Sequence, residues 1–235
     1  MMTRILAFSF FIASILPAAC AEAREHARPN IVLILADDFG VGDIQAHFPE
    51  NKIRTPHLDR LTKESMRFTN AHSGSAVCTP TRYGLLTGRY AWRTRLQEWV
   101  LACYEPPLIP ADRLTLARFL TQHGYATAAI GKWHLGWNWA GPQPSTMEVE
   151  QNILRKKEWD YTQTIRDGPT TRGFEYYFGT HVPNFPPFTF IENDRVVEQP
   201  VARFSYNQDD GMSLPAMFDG APMAPGWRFD QILPK

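Results

Sequence analysis

Residues 30–36 read N-I-V-L-I-L-A, an unbroken apolar run rich in branched side chains, and Asp37, Asp38, Phe39 and Gly40 follow it directly. A run without polar alternation suits a strand buried on both faces of a parallel sheet. Two carboxylates then stand where that strand leaves the sheet, and open parallel sheets gather ligands at the carboxyl ends of their strands. Downstream, Thr55 and Pro56 open a helix, with Thr55 as cap, Pro56 in the first turn, and Leu58, Leu61 and Met66 facing inward. Residues 66–71 read as a short strand. Residues 79–86 read as a helix stopped near Gly88, which puts Cys78 just ahead of a helix N-terminus. Residues 112–124 form another helix, with Leu116, Phe119 and Leu120 on one face and Gly124 as its stop. Residues 125–130 are a strand running into Gly131, Lys132, Trp133 and His134. The order strand, helix, strand, helix, helix, strand predicts an α/β domain with a largely parallel central sheet. Residues 139–171 read as an irregular insertion with a polar helix over 148–157. Residues 188–191 and 195–197 read as a hairpin about Asn193 and Asp194. From Pro200 the chain reads as a long surface loop.

Charge narrows the function classes. Lysine and arginine number 24, as do aspartate and glutamate, so nothing points to nucleic acid or to a polybasic membrane patch. Arg4 precedes an apolar run over residues 5–16, and Ala18, Ala19, Ala21 and Ala23 follow. That is the pattern of a secretory signal peptide over residues 1–21, cleaved after Ala21 or Ala23. The run is shorter than the roughly 20 residues that span a bilayer. A secreted or periplasmic protein is expected, and a lipoprotein anchored through Cys20 is the lesser alternative. Of three cysteines, Cys20 lies in the leader, so Cys78 and Cys103 can form at most one disulfide.

Cys78-Thr79-Pro80-Thr81-Arg82, continued by Leu85-Leu86-Thr87-Gly88-Arg89, resembles the C-x-P-x-R…L-x-T-G-R element of type I, formylglycine-dependent sulfatases. Residues 28–30 leading into Asp37-Asp38-Phe39-Gly40 look like that family's first strand and metal-binding pair. Gly124-Tyr125 and Gly131-Lys132-Trp133-His134-Leu135-Gly136 match its second signature. Residues 172–175, 185–188 and 192–195 are similar to segments of arylsulfatase-like bacterial members. The resemblance implies an alkaline-phosphatase-like domain over residues 28–235, incomplete at its C-terminus. It also implies a sulfuric ester hydrolase whose nucleophile is 3-oxoalanine (formylglycine) made from Cys78 by a dedicated maturation enzyme. Catalytic roles would fall to Cys78, Arg82, Lys132 and His134, and metal binding to Asp37, Asp38 and Cys78. Calcium is the implied ion, with magnesium the alternative.

Physical chemistry supports these assignments residue by residue. A sulfate ester is an anion, so attack on its sulfur needs charge neutralised first, and hard carboxylate oxygens suit calcium. An Asp-Asp pair alone is more often a cap or turn; its place after a buried strand favours metal. Unpaired N–H groups at a helix N-terminus favour negative charge beside Cys78. Arg82, four residues on, shares its face. The plain reading of the two is a buried thiol and a surface cation. Lys132 and His134 alternate on a strand end, so both can point one way with Trp133 opposite. By resemblance, Lys132 binds a sulfate oxygen and His134 takes a proton from the hydrated aldehyde. In the implied mechanism one hydroxyl of that hydrate attacks sulfur, the ester S–O bond breaks and the alcohol leaves; the second hydroxyl, once deprotonated, then collapses to the aldehyde and expels sulfate, a step serine lacks.

His72 and His181 read as structural hydrogen bonders, with His181 an alternative substrate-pocket residue. Family members are longer, and their later segments supply a histidine, an Asp-Asn pair and a lysine. After Ile191 this chain has neither histidine nor Asp-Asn, so the 235 residues are expected to be poorly active by themselves. The expected partner is a sulfate-ester small molecule or a sulfated glycan. A phosphate or phosphonate monoester hydrolase of the same superfamily and a non-catalytic exported scaffold stay open as alternatives.

Overall fold

The structure is a computed structural model that describes residues 28–142, 159–205 and 218–229. The chain divides into two compact units, residues 1–36 and 37–235. The expected leader lies outside the described residues. In the first unit, residues 28–36 join no ladder, and their apolar side chains are open to solvent, Val32 at 83% and Ile34 at 88%. The buried strand expected over residues 30–36 is therefore not formed. A strand needs a neighbour to satisfy its N–H and C=O groups, and no described strand pairs with this one.

The second unit is mixed α/β. Helix α1, Pro56–Glu64, begins with proline at its first position, as the sequence predicts. Thr55 makes no cap; its hydroxyl accepts the Gln45 N–H and donates to Asp59 Oδ1, tying down the preceding loop. Leu58, Leu61 and Met66 are exposed rather than inward, and residues 66–71 are not a strand. An apolar helix face turns inward only where a second element covers it. No described helix or strand packs extensively along α1.

Helix α2, Cys78–Thr87, takes Cys78 into its first turn and stops at Gly88. Gly88 has φ of 66° and donates its N–H to the Gly84 carbonyl at 2.8 Å, a left-handed cap that glycine adopts without strain. Helix α3, Leu116–Gln122, is capped by the Thr115 hydroxyl, which accepts the Arg118 N–H. Its expected inward face is half open, with Leu116 38% and Phe119 45% exposed, while Ala117 is buried. Hydrogen bonds turn the helix: Thr115, Arg118 and Thr121 donate to the carbonyls of Arg172, Thr171 and Gly173.

Strand β1, Ala128–Lys132, pairs in parallel with β2, Tyr176–Thr180, aligning Gly131 with Gly179 and Lys132 with Thr180. Strand β2 pairs antiparallel with β3, Ile191–Glu192, and β3 with β4, Arg195–Val196. Asn193 at φ of 55° makes the predicted hairpin turn. The described sheet, in order β1-β2-β3-β4, thus holds one parallel pair and two antiparallel ones. A separate pair joins β5, Ala202–Arg203, to β6, Pro222–Met223.

Aromatic side chains fill the core. Tyr104, Trp137, Tyr177 and Phe188 are fully buried, and Tyr104 stacks on Trp159 with centroids 3.7 Å apart. Trp139, Trp159 and Ile165 belong to this core, so the described flanks of the expected insertion are interior. Phe204, Phe218, Trp227 and Phe229 also enter it, correcting the surface loop expected after Pro200. A few large rings bury much area without any periodicity. The polar helix expected over 148–157 lies outside the described residues.

Candidate active site

The first turn of α2 grips the chain just beyond β1. Thr79, fully buried, donates its hydroxyl to the His134 carbonyl at 2.9 Å and accepts the Leu101 N–H at 3.2 Å. Arg82 Nη1 donates to the Lys132 carbonyl at 2.7 Å. From the sheet side, the Tyr177 hydroxyl donates to the Gly131 carbonyl at 2.9 Å. The backbone carrying Lys132 is therefore held from both the helix and the sheet.

Side chains from three distant segments then meet. Lys132 Nζ lies 2.7 Å from Asp37 Oδ2 and 3.1 Å from Cys78 Sγ. Arg82 Nη2 lies 3.4 Å from Asp37 Oδ1. One ligand atom each of Asp37, Asp38 and Cys78 falls within 4.8 Å of the others. Burial pushes the Asp37 carboxyl up, but the hydrogen bond and charge of Lys132 and the Arg82 guanidinium outweigh it and hold that carboxyl below its ordinary value. Asp37, Asp38, Cys78, Arg82 and Lys132 are thus brought together as expected from the sequence. The arrangement sets the Lys132 ammonium and a helix N-terminus at one half-buried sulfur, with the Arg82 guanidinium on the adjoining Asp37 carboxylate, suited to an anion arriving at position 78.

The His134 ring makes its hydrogen bond elsewhere, although it feels the charges of Lys132 and Arg82. Its Nε2 lies 2.8 Å from the Leu101 carbonyl, its Nδ1 is buried without a partner, and its ring packs edgewise on His181 at 5.3 Å and on Phe185. The expected alternation ends at Lys132, because His134 takes φ of 52° and both Trp133 and His134 turn inside. Burial, with the charges of Lys132 and Arg82, holds the His134 imidazole down to about 3 despite the Leu101 hydrogen bond. His181 is wholly buried, its Nε2 3.3 Å from the Ala102 carbonyl, and burial keeps it neutral. It lines the core rather than a substrate pocket. His72 is exposed, with Nε2 2.8 Å from Asn70 Oδ1. No disulfide joins Cys78 and Cys103, since Cys103 is in the core. Thr79 and Tyr177 carry no signal in sequence: one fills a variable place in the Cys78 element, the other stands in an ordinary strand pattern.

The profile of the sulfatase family matches residues 29–199. The N-acetylgalactosamine-6-O-sulfatase of Bacteroides thetaiotaomicron is 37% identical over 177 residues, which covers 75% of this chain and 31% of that protein. Arylsulfatase G of Mus musculus is 35% identical over 179 residues, covering 76% of this chain and 29% of its own. A solved structure described under the metabolism of multiple glycosaminoglycans by Bacteroides thetaiotaomicron superposes with a TM-score of 0.61 at 33% identity, over 76% of this chain and 36% of that one. The chain spans about a third of the length of the curated relatives it matches. Matches this long and this similar, on a mixed α/β framework that a solved relative shares, settle its descent: the chain belongs to the sulfatase family and has that family's alkaline-phosphatase-like fold.

Proposed function

We propose that this chain is part of an exported hydrolase of sulfate esters in which Cys78 is the residue oxidised to formylglycine. The observation that carries this reading is the single ammonium of Lys132, shared between Cys78 Sγ and Asp37. A cation bonded at once to a candidate nucleophile and to a carboxylate can hold a sulfate oxygen beside the attacking atom. Arg82 adds a second charge from the same helix turn. The relatives named for sulfatase activity support the same chemistry, and sulfated glycans or smaller sulfate esters are the substrate class proposed here.

Two carboxylates at Asp37 and Asp38 fit a hard divalent cation, calcium before magnesium, while a thiol is a soft ligand that suits neither. The ligand set is consistent only when position 78 presents oxygen, as formylglycine does. A bound cation would polarise the sulfate and favour the ionised form of the hydrate. The chain's own residues do the rest: Lys132 and Arg82 orient Asp37, and the first turn of α2 favours negative charge at position 78. His134 is held to the Leu101 carbonyl through Nε2, and its buried Nδ1 has no hydrogen-bond partner. Export rests on the leader over residues 1–21; no described helix is long and apolar enough to cross a membrane.

Co-production with a formylglycine-generating enzyme, followed by mass spectrometry of the peptide around Cys78, tests the reading. The expected result is a thiol exchanged for an aldehyde, and an unmodified cysteine would sink it. Matched sulfate and phosphate esters then decide between a sulfatase and a phosphate or phosphonate hydrolase. Calorimetric titration with calcium gives an independent check on the converted chain. Asp37→Asn is expected to weaken binding by about tenfold or more, since one charged oxygen ligand is lost, and Asp112→Asn to leave it unchanged. Equal affinities in both variants would remove Asp37 from the metal site.

A further inference from the structure

Helix α2 has ten residues, so its two ends stand about 15 Å apart. Cys78 occupies one end. Near the other, a cavity of about 330 Å³ is lined by Tyr83, Arg89, Arg93, Arg95 and Arg113, with Thr94 and prolines between them. None of the four guanidiniums forms an ion pair among the described residues. Arg113 Nε is buried without any hydrogen-bond partner, and Arg95 donates to the Pro106 carbonyl. Glu105, which feels the charge of Arg95, has a carboxyl tied to the Ala102 N–H and pushed up by burial. The negative end of α2 compensates a fraction of one charge at Arg89, and none of the others is neutralised by an ion pair among the described residues. Like charges gathered around a cavity of this size, at the lower end of ligand-pocket volumes, repel one another until an anion enters.

The same loop presents aromatic faces. Tyr90 and Trp92 stack with centroids 5.8 Å apart and planes 15° from parallel, and both are more than half exposed. The Arg93 guanidinium stands 5.3 Å from the Trp92 ring. Flat exposed rings beside guanidiniums match a ligand that has C–H faces and oxyanions together. A sugar ring stacks on an aromatic face while its sulfate pairs bidentately with arginine. An acidic peptide offers the charge without the face.

We propose that this cleft binds a sulfated oligosaccharide, with Arg89, Arg93, Arg95 and Arg113 taking its sulfate oxygens and the Tyr90–Trp92 platform taking a sugar face. The site would engage a part of the saccharide remote from the bond cleaved near Cys78. It deepens the proposed function by choosing the glycan among the substrate classes, and it rests on that reading only for the link to turnover.

Binding is tested without catalysis, by calorimetry of the full 235-residue chain at low salt. The probes are a sulfated hexasaccharide, its desulfated counterpart, inorganic sulfate and an acidic hexapeptide. The sulfated saccharide is expected to bind most tightly and to weaken as salt rises. Arg93→Ala and, separately, Arg89→Gln are each expected to cost about tenfold in affinity; far-ultraviolet circular dichroism selects whichever variant stays folded. Trp92→Ala is expected to weaken the saccharide and leave inorganic sulfate unchanged. The component lost in Arg93→Ala should persist in Lys132→Ala, which alters only the Cys78 site. Equal binding of the desulfated sugar, the acidic peptide or sulfate alone would overturn the saccharide assignment, as would arginine variants that bind like the parent. Failure of Cys78 to convert, with saccharide binding intact, would sink the hydrolase reading and leave this one standing.

Discussion

Replacing Gly179 with alanine is expected to break the sheet at the point where it carries Lys132. Gly179 sits opposite Gly131 in the parallel register, and a Cβ there would stand 1.9 Å from the Gly131 carbonyl oxygen and 2.8 Å from the Tyr177 hydroxyl. Neither obstacle is the free end of a flexible side chain. The carbonyl belongs to the strand, and the hydroxyl is fixed by hydrogen bonds to Gly131 and Thr180. Relief requires β1 and β2 to separate, which removes ladder bonds as well as packing. The expected loss is about 3 kcal/mol, at the upper end of what overpacking costs. Gly74→Ala is the control, because its added Cβ would meet nothing closer than Tyr90 at 3.9 Å. Urea midpoints decide the matter: coincident curves for the two variants would mean that the strands are not locked together there.

Acidification is expected to unfold the protein well above the carboxylate range. His134 is held down to about 3 from an ordinary 6.5, and His181 is held down as well, both chiefly by burial. Below pH 6.5 the unfolded chain takes up two protons that the folded chain refuses. Stability is therefore complete above that pH and falls as pH drops toward about 3. The His134 imidazole costs about 1.4 kcal/mol per pH unit across that window, and His181 acts in the same direction. Asp37 acts in the same direction but lower, since its lowered carboxyl loses its contribution only as pH falls past 3.8. Denaturant titrations between about pH 7 and pH 5 should show the decline, and His181→Gln should make it shallower. A flat profile in that interval would mean that both rings reach solvent.

What could be read from the sequence was what depends on neighbours along the chain. The stop of α2 follows from Gly88, while its start lies one residue earlier than expected, at Cys78; the hairpin follows from Asn193 and Asp194. The assembly of Asp37, Asp38, Cys78, Arg82 and Lys132 could be read because their chemistry is specific even when their positions are far apart. What failed depends on a second element. The apolar run at 30–36 and the stripe of Leu58 and Leu61 are inward-facing patterns with no described cover. The inward face of α3 was misplaced because backbone carbonyls at 171–173, invisible to any hydrophobic pattern, decide its rotation. The alternation expected of Lys132 and His134 stops short because His134 itself takes a left-handed conformation and turns inside.

The grip of Thr79, Arg82 and Tyr177 on main-chain oxygens has a consequence for how such a site can be remade. Those bonds end on carbonyls that every amino acid carries, so the jig is indifferent to which reactive group it presents. Chemistry performed on the tip of residue 78 leaves the alignment untouched, and a scaffold built this way can trade one reacting atom for another without being refitted.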